Sequence, residues 1–334
     1  MDSISEKIRS EFPGRKVAIV GDLVADQFLR GTIARVSREA PVFILRHDET
    51  DTFPGGAANA AANVAALGGE PLLIGLVGGD ANGRLLVESL ERSNVNCGLV
   101  VADDSFKTTT KVRVLAGQDY APRQQVIRID YENSSPVGTA ARQKLVENLA
   151  AAAEAADAII VSDYNYGVAD DRLLAEARRI SKERGIPLIV DSRFRLREFA
   201  DATSATPNLE EVEMILGKGF AEDDCARLRQ ELSLTALLVT CGNEGMLLFE
   251  EGSEPRRIPV VGSDQPVDVT GAGDTVIAAY ALGLAAGLSF ADAAEVANHA
   301  GGVVVMKRGT AVASVDELLA SIAPGAGRQL ETAV

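Results

Sequence analysis

Between Gly138 and Thr240, short apolar runs alternate with longer segments of helical period. Ala158-Ile-Ile-Val161, Ile186-Pro-Leu-Ile-Val-Asp191 and Ala236-Leu-Leu-Val-Thr240 are too short for helices and too uniformly apolar for strands with one wet face. Strands covered on both faces by their connecting helices form a parallel sheet, so the chain is constrained to an α/β fold. Lys16-Val-Ala-Ile-Val-Gly21 adds an earlier buried strand. Helices are expected from Gly138 to Ala155, up to Arg184, and over Leu209 to Leu216, with a short run at Ala202 to Thr206. Asp22, Asp163, Asp191 and Thr240 stand at or just beyond strand ends. Open α/β sheets bind ligands beyond the carboxyl ends of their strands, which places one cleft along that edge. Asp22 is thereby a site candidate, and a cap or turn former is its plainer role.

A different pattern marks Pro41-Val-Phe-Ile-Leu45, Lys107-Thr-Thr-Thr-Lys-Val-Arg-Val-Leu115 and Gln124-Gln-Val-Ile-Arg-Ile-Asp130. The last two alternate polar and apolar residues, the mark of strands with one solvated face. These pieces are expected to form a small sheet outside the main one, with Lys111 and Arg113 on one face. Solvated surface charge is the more frequent explanation of such cations.

Three further stretches carry possible chemistry. Asp268-Val-Thr-Gly-Ala-Gly-Asp274 precedes the Ala-rich run Thr275 to Leu288. If that run is helical, its first N–H groups and its dipole can hold an anion at Gly271-Ala272-Gly273. An acid inside an anion site suggests that Asp274 takes a proton from a hydroxyl attacking a phosphate; a Gly-rich turn with an acidic first-turn residue is the equally weighted alternative. In Pro54-Gly-Gly-Ala-Ala-Asn-Ala-Ala-Ala-Asn-Val-Ala-Ala-Leu-Gly68, two glycines open an Ala-rich helix that places Asn59 and Asn63 on one face. Asn59 is read as a donor to a polyhydroxylated ligand and Asn63 as internally satisfied. Asn208 and Glu211 could serve a water-rich Mg²⁺ site, although as an isolated motif they read first as a helix cap.

Composition excludes other classes. The 334 residues, 46% of them apolar, carry a net charge of −15, which opposes binding to nucleic acid or an anionic membrane. No signal-peptide core opens the chain, and Val276 to Leu288 is too short to span a bilayer, so a cytoplasmic location is expected. Cys97, Cys225 and Cys241 are odd in number and scattered, and His47 and His299 are the sole histidines; neither a disulfide framework nor a zinc site is expected. Neither a dinucleotide Gly-x-Gly-x-x-Gly fingerprint nor a Walker loop explains the chain. The tail at residues 324–334 is expected to be disordered.

Gly55-Gly-Ala-Ala-Asn59 and Asp268-Val-Thr-Gly-Ala-Gly-Asp274, in this order, resemble the two signature motifs of the ribokinase (PfkB-type) carbohydrate kinases. The chain is most similar to the kinase module of the bacterial heptose-7-phosphate kinase/ADP-heptose synthase family. The matching stretches are Gly21-Asp-Leu-Val-Ala-Asp26, Arg35-Val-Ser-Arg-Glu-Ala-Pro-Val42, Thr108-Thr-Thr-Lys-Val-Arg113, Gln125-Val-Ile-Arg-Ile-Asp130, Ser162-Asp-Tyr164 and Thr206-Pro-Asn-Leu-Glu-Glu211. Two positions depart from that pattern: Tyr166 stands where the family has Lys, and Ser192-Arg193 where it favours Pro-Lys.

The resemblance implies a single kinase domain over residues 1–323. Its fold would be a ribokinase-like three-layer α/β/α mainly parallel sheet with a small β-sheet lid from segments 23–46 and 106–131. It implies ATP and Mg²⁺ as cofactors and transfer to the anomeric hydroxyl of a heptose 7-phosphate. Asp274 would be the general base, with Gly271, Ala272 and Gly273 stabilising the transferring group. Asp22, Gly55, Gly56 and Asn59 would hold sugar hydroxyls, and Lys111, Arg113, Arg128 and Arg193 a substrate phosphate. Asn208, Leu209, Glu210, Glu211, Thr240, Gly242, Gly245 and Asn298 would border ATP, with Asn208 and Glu211 near Mg²⁺. Asp268 and Val269 would be the candidate site for a monovalent cation such as K⁺. A kinase for a non-phosphorylated sugar or nucleoside, and a non-catalytic relative that only binds ligands, are the alternatives. The edges of a lid sheet point to a homodimer.

Overall fold

The computed structural model describes residues 2–118, 123–133, 136–262 and 265–323, so the tail expectation for 324–334 lies outside the described residues. The chain opens with α1 (Asp2–Glu11), β1 (Lys16–Gly21), β2 (Leu23–Val36), β3 (Phe43–Gly56), α2 (Ala57–Ala66), β4 (Glu70–Gly78), α3 (Ala81–Arg92) and β5 (Val100–Asp103). Then come β6 (Thr110–Gly117), β7 (Gln124–Tyr131), α4 (Thr139–Ala153), β8 (Ala158–Asp163), α5 (Asp171–Arg184), β9 (Leu188–Ser192) and β10 (Ser204–Ala205). The last part holds α6 (Leu209–Leu216), α7 (Glu222–Glu231), β11 (Ala236–Thr240), β12 (Met246–Glu250), β13 (Arg256–Ile258), α8 (Ala272–Ala285), α9 (Phe290–Val304) and α10 (Val315–Ile322).

Among the described residues these strands make two sheets. The larger runs β13-β12-β11-β10-β9-β8-β1-β4-β5 and is parallel except where β12 and β13 pair antiparallel. Its side chains divide between two cores, as period-two alternation requires. Val17, Ile19, Ala158, Ile160, Ala236 and Leu238 join α2, α8 and α9 on one face. Ala18, Val20, Ile159, Val161, Leu237 and Val239 join α4, α5 and α7 on the other. This is the expected three-layer α/β/α fold. Helix ends follow local chemistry: Asp80, Asp170, Ser289 and Ser314 each accept a first-turn N–H, and Gly185 closes α5 at φ 64°.

The smaller sheet, β3-β2-β6-β7, is rooted at the carboxyl edge of the larger one. β1 passes through Asp22 directly into β2, and β3 returns to Gly56 at the start of α2. The strand expected over Pro41–Leu45 is thus only the beginning of β3, which runs to residue 56. Pairing of Leu23 with Gly56 and of Val24 with Gly55 carries the backbone on as strand, so Gly55 and Gly56 end β3 before the helix begins. Asp26 lies opposite Lys111 and Phe28 opposite Arg113 across the parallel β2–β6 pair. Every residue of β7 is exposed, among them Ile127, Ile129 and Tyr131, and Val36, Val42 and Phe43 are exposed on β2, β3 and the turn joining them. Among the described residues no helix is long and apolar enough to cross a membrane.

Close packing of β1 on β8 fixes the position of this junction. A Cβ at Gly21 would lie 2.0 Å from the Ser162 carbonyl oxygen, so no side chain fits without moving one strand. Gly21→Ala is expected to lower unfolding stability by about 1–3 kcal/mol, seen as a lower urea midpoint; an unchanged midpoint would contradict the packing.

Candidate functional site

Gly271 starts α8 from a left-handed conformation, φ 78°, and a Cβ there would meet Asn59 Nδ2 at 2.5 Å. This close approach puts Asp274, in the first turn of α8, against the polar face of α2. Asp274 is 3% exposed, and both of its oxygens are engaged. Asn59 Nδ2 donates to Oδ2 at 2.9 Å and Tyr164 Oη donates to Oδ1 at 2.9 Å. Asn63 Nδ2 holds the Asn59 side-chain oxygen at 3.1 Å, and Thr275 Oγ1 donates to Asn63 Oδ1 at 3.0 Å. Burial pushes the Asp274 carboxyl up to about 7, and Asp26 adds to the push, while the donors Asn59 and Tyr164 and the Arg193 charge resist it. A carboxylate poised there suits a general base at neutral pH. Beside it, Gly273 faces open space.

The sequence-predicted set divides on this geometry. Asn59 donates its amide to Asp274, with a longer contact to the Gly271 carbonyl, so it holds that carboxylate in place. Asp22 has protein partners too. It is 1% exposed and accepts backbone N–H groups from Tyr164 (2.8 Å), Tyr166 (3.0 Å) and Val168 (3.1 Å), which makes it the clamp of the loop after β8. Ala272 donates its N–H to the Val269 carbonyl at 3.2 Å and is not free for a phosphoryl group; Gly271 and Gly273 keep N–H groups unpaired among the described residues. Gly55 and Gly56 do lie at the site: a Cβ at Gly55 would be 2.7 Å from Asp26 Oδ2, and Gly56, at φ 59°, sits against the Tyr164 ring.

Two cations predicted for the lid have partners. Arg113 Nη1 lies 2.6 Å from Asp26 Oδ1, with its guanidinium 5.3 Å from the Phe28 ring centre. Lys111 Nζ reaches Asp130 at 3.2 Å and donates to Tyr166 Oη at 2.9 Å, and that hydroxyl in turn donates to Glu132. Arg128 is exposed and bonds Asp130 at 2.9 and 3.0 Å. Arg193 belongs elsewhere: it lines a cavity of about 370 Å³ with Asn208, Glu210, Glu211 and Lys218, and its guanidinium lies 5.6 Å from the Tyr164 ring centre. Arg193 therefore stands between Asp274 and the Asn208/Glu211 side of the cleft, away from the lid.

Asn208 and Glu211 form a reciprocal capping box on α6, each side chain accepting the other's backbone N–H at 2.9 Å. Glu211 is 7% exposed; burial raises its pKa, and its charge together with burial raises that of Asp191. Two acids forced together in this way would be relieved by a cation. Thr240 bridges to Asn208 at the end of β11, and Gly242 and Gly245 shape the turn that follows, each with positive φ. Leu209 packs on the core. Asn298, at 5% exposure, donates to the Pro259 carbonyl at 2.7 Å and anchors that segment to α9. Asp268 accepts N–H groups from Thr270 and Gly309, both at 2.9 Å, and these outweigh burial to lower its pKa. Val269 is 63% exposed, with its carbonyl taken by Ala272. The Asp268 carboxylate is thus held in its charged form, and its oxygens and the Val269 carbonyl each keep a further lone pair.

Asp26, Tyr164 and Thr310 are site residues that the sequence reading passed over. Asp26 is 5% exposed, accepts from Thr310 Oγ1 at 3.3 Å, and is raised in pKa chiefly by burial against the opposing charge of Arg113. Its signal was an acid set among Leu23-Val-Ala and Phe28, where a strand side chain must enter the core or the cleft. Tyr164 lies in the matching stretch Ser162-Asp-Tyr164, but nothing local in sequence marks it as a partner of Asp274. A second cavity, of about 650 Å³, opens below the lid between Phe28, Arg30 and Leu115 above and Asp268, Arg308 and Gly309 beneath.

Comparison with known proteins agrees with this geometry. Residues 15–317 match the model of the pfkB family carbohydrate kinases. The bifunctional protein HldE of Citrifermentans bemidjiense is 38% identical over 317 residues, 93% of this chain and 64% of that protein. HldE of Psychromonas ingrahamii is 40% identical over 313 residues, covering 92% and 64%. The chain thus spans a little under two thirds of these relatives. Arabidopsis thaliana ribokinase, solved with ribose and ATP, superposes with a TM-score of 0.70 at 22% identity, covering 92% of this chain and 98% of that one. Escherichia coli phosphofructokinase-2, solved with potassium, gives 0.72 at 20% identity, covering 91% and 97%. With the buried acid at a helix start, the lid across the carboxyl edge and a family match over nearly its whole length, the chain belongs to the pfkB family of carbohydrate kinases.

Proposed function

We propose that this chain transfers the γ-phosphoryl group of ATP to a sugar hydroxyl, with the anomeric hydroxyl of a heptose 7-phosphate as the favoured acceptor. The observation that carries the reading is Asp274: a buried carboxylate at a helix N-terminus, held by two donors and poised near neutrality. In the step proposed, the acceptor hydroxyl gives its proton to Asp274, its oxygen bonds to the γ-phosphorus, and the bridging P–O bond breaks to release ADP. The unpaired N–H groups of Gly271 and Gly273 and the α8 dipole would face the charge that develops on the phosphoryl oxygens. The family resemblance supports the heptose acceptor, as do the HldE relatives.

ATP is assigned to the side of the cleft bordered by Asn208 to Glu211, Thr240 and the Gly242–Gly245 turn. A Mg²⁺ ion fits there: Glu211 Oε2 is used in the capping box, its other oxygen can take a metal-bound water, and the Asp191 carboxyl nearby, whose ionisation burial and the Glu211 charge oppose, would be held charged by such a cation. When bound, Mg²⁺ neutralises phosphate charge. Arg193 would neutralise charge between the two substrates. No step is assigned to K⁺ at Asp268 and Val269.

The contact of Lys111 with Tyr166 favours a second reading. One lid cation is already paired with two acids and donates to a hydroxyl, which suits a non-phosphorylated sugar or nucleoside. The exposed apolar residues of the lid, Ile127, Ile129, Tyr131 and Phe43, support a homodimer that covers them.

With ATP and Mg²⁺, turnover on a heptose 7-phosphate is expected to exceed that on free sugars and nucleosides; the reverse order would favour the second reading. Asp274→Asn is expected to lose about 10²- to 10⁴-fold in kcat, read as ADP release, and near-normal ADP release would remove Asp274 from the base role. Because the raised carboxyl must be ionised to act, wild-type kcat is expected to rise with pH through about 7. Light scattering is expected to give a dimer for the wild type and a monomer for Ile127→Glu/Ile129→Glu; an unaltered mass would exclude this face as the interface.

A further inference from the structure

We propose that Tyr164 is a positioning residue for the transfer reaction: its hydroxyl aims Asp274 at the acceptor and holds that carboxylate in its charged form. The inference deepens the proposed function and rests on the reading of Asp274 as the base.

Tyr164 has little freedom. Its backbone N–H is fixed by Asp22 Oδ2 at 2.8 Å, and its ring lies so near Gly56 that a Cβ there would stand 3.3 Å from Cε2. The Arg193 guanidinium lies 5.6 Å from the ring centre. With chain and ring both restrained, Oη is delivered to Asp274 Oδ1 at 2.9 Å. A half-buried phenol beside an anion donates its proton in the bond and keeps it, since desolvation and the Asp274 charge hold its own pKa well above the ordinary value. Tyr164 is thus a donor throughout and never the acceptor of the substrate proton.

That bond has a geometric consequence. Asn59 occupies one lone pair of Oδ2 and Tyr164 one of Oδ1, so the carboxylate plane is fixed from both sides. The substrate proton must arrive at a remaining lone pair, which sets the direction of approach. It also has an electrostatic consequence. The charged groups around Asp274 are Asp26 from β2, Asp191 from the end of β9 and Arg193 just after it. Two of these three are acids, so the donors Asn59 and Tyr164, with Arg193, carry the task of keeping Asp274 ionised.

The test is the pH profile of kcat with the full chain, ATP and the best acceptor. A hydrogen bond to a charged group contributes about 1.5–3 kcal/mol, or roughly one to two pH units. Tyr164→Phe is therefore expected to move the acidic limb up by about one unit. This gives a roughly tenfold loss below the limb, little loss above it, and an acceptor KM within about twofold of wild type. Replacing Tyr164 alone by 3-fluorotyrosine, which keeps the shape and strengthens the donor, is expected to move the limb the opposite way. A limb unmoved by 3-fluorotyrosine, or a Tyr164→Phe loss equal at all pH values, overturns the proposal. A wild-type profile with no limb near pH 7 would instead overturn Asp274 as the base, so the two failures are distinguishable. Should Tyr164→Phe not fold, the fluorotyrosine enzyme decides alone.

Discussion

One buried carboxylate holds the catalytic edge together. Asp22 stands where β1 ends, β2 leaves for the lid and α2 begins. Its own N–H donates to Ser162 on β8, its carbonyl accepts from Ala57 on α2, and its side chain gathers three N–H groups of the loop from Tyr164 to Val168. A buried polar group left without its partner costs about 1–3 kcal/mol, and more when charged, so no uncharged side chain could replace it cheaply. The consequence is positional: Tyr164, Gly56 and the root of the lid are set by one residue, and through them the orientation of Asp274.

The same edge concentrates acids in a chain that is already at −15. Asp22, Asp26, Asp163, Asp191, Glu211 and Asp274 crowd the cleft, answered by Arg113 on Asp26, Arg195 on Asp163, and Arg193. Structure alone would not favour this, because burying like charges raises their pKa values and costs stability. A site that receives a polyphosphate with its metal needs both signs close together, acids for cation and proton, and arginines for phosphate. The uncomfortable pair Asp191 and Glu211 and the raised Asp274 mark where function outweighs stability.

How much of this was legible follows from what each residue's neighbours are. The parallel sheet was plain, because strands such as Ala158-Ile-Ile-Val161 are buried by their own composition. Asp274 was legible because glycines, an acid and a helix start are local in sequence. Asp22 and Asn59 stand out in the sequence as unusual, but what they bind is not legible there. Their partners, the 164–168 backbone and Asp274, lie far away in the chain, and no local pattern shows whether a polar side chain is satisfied by protein or left for a ligand. Asp26 was missed for the complementary reason: period two predicts which face it occupies, but not that Arg113 and Thr310 meet it there. Tyr164 stands in a stretch that matches the family, but its role has no local signal, since a tyrosine after a strand is ordinary until Asp274 is seen 2.9 Å away.

The lid illustrates what pairing before binding can achieve. Arg113 and Lys111 already hold acids on or beside the lid, so a substrate anion does not meet bare cations but must compete with Asp26, Asp130 and Glu132. Such competition weakens binding of any anion and rewards one whose shape lets it replace those acids together. It also spares Asp26: if Arg113 turns to a ligand, Asp26 loses a neutralising charge and becomes a stronger acceptor for a hydroxyl next to Gly55, within the electrostatic reach of Asp274. On the proposed function, recognition of the far end of the acceptor and preparation of its near end would then be linked through one ion pair. That is a reason for the acid of β2 and the arginine of β6 to pair with each other from offset positions when each, alone, could have been solvated.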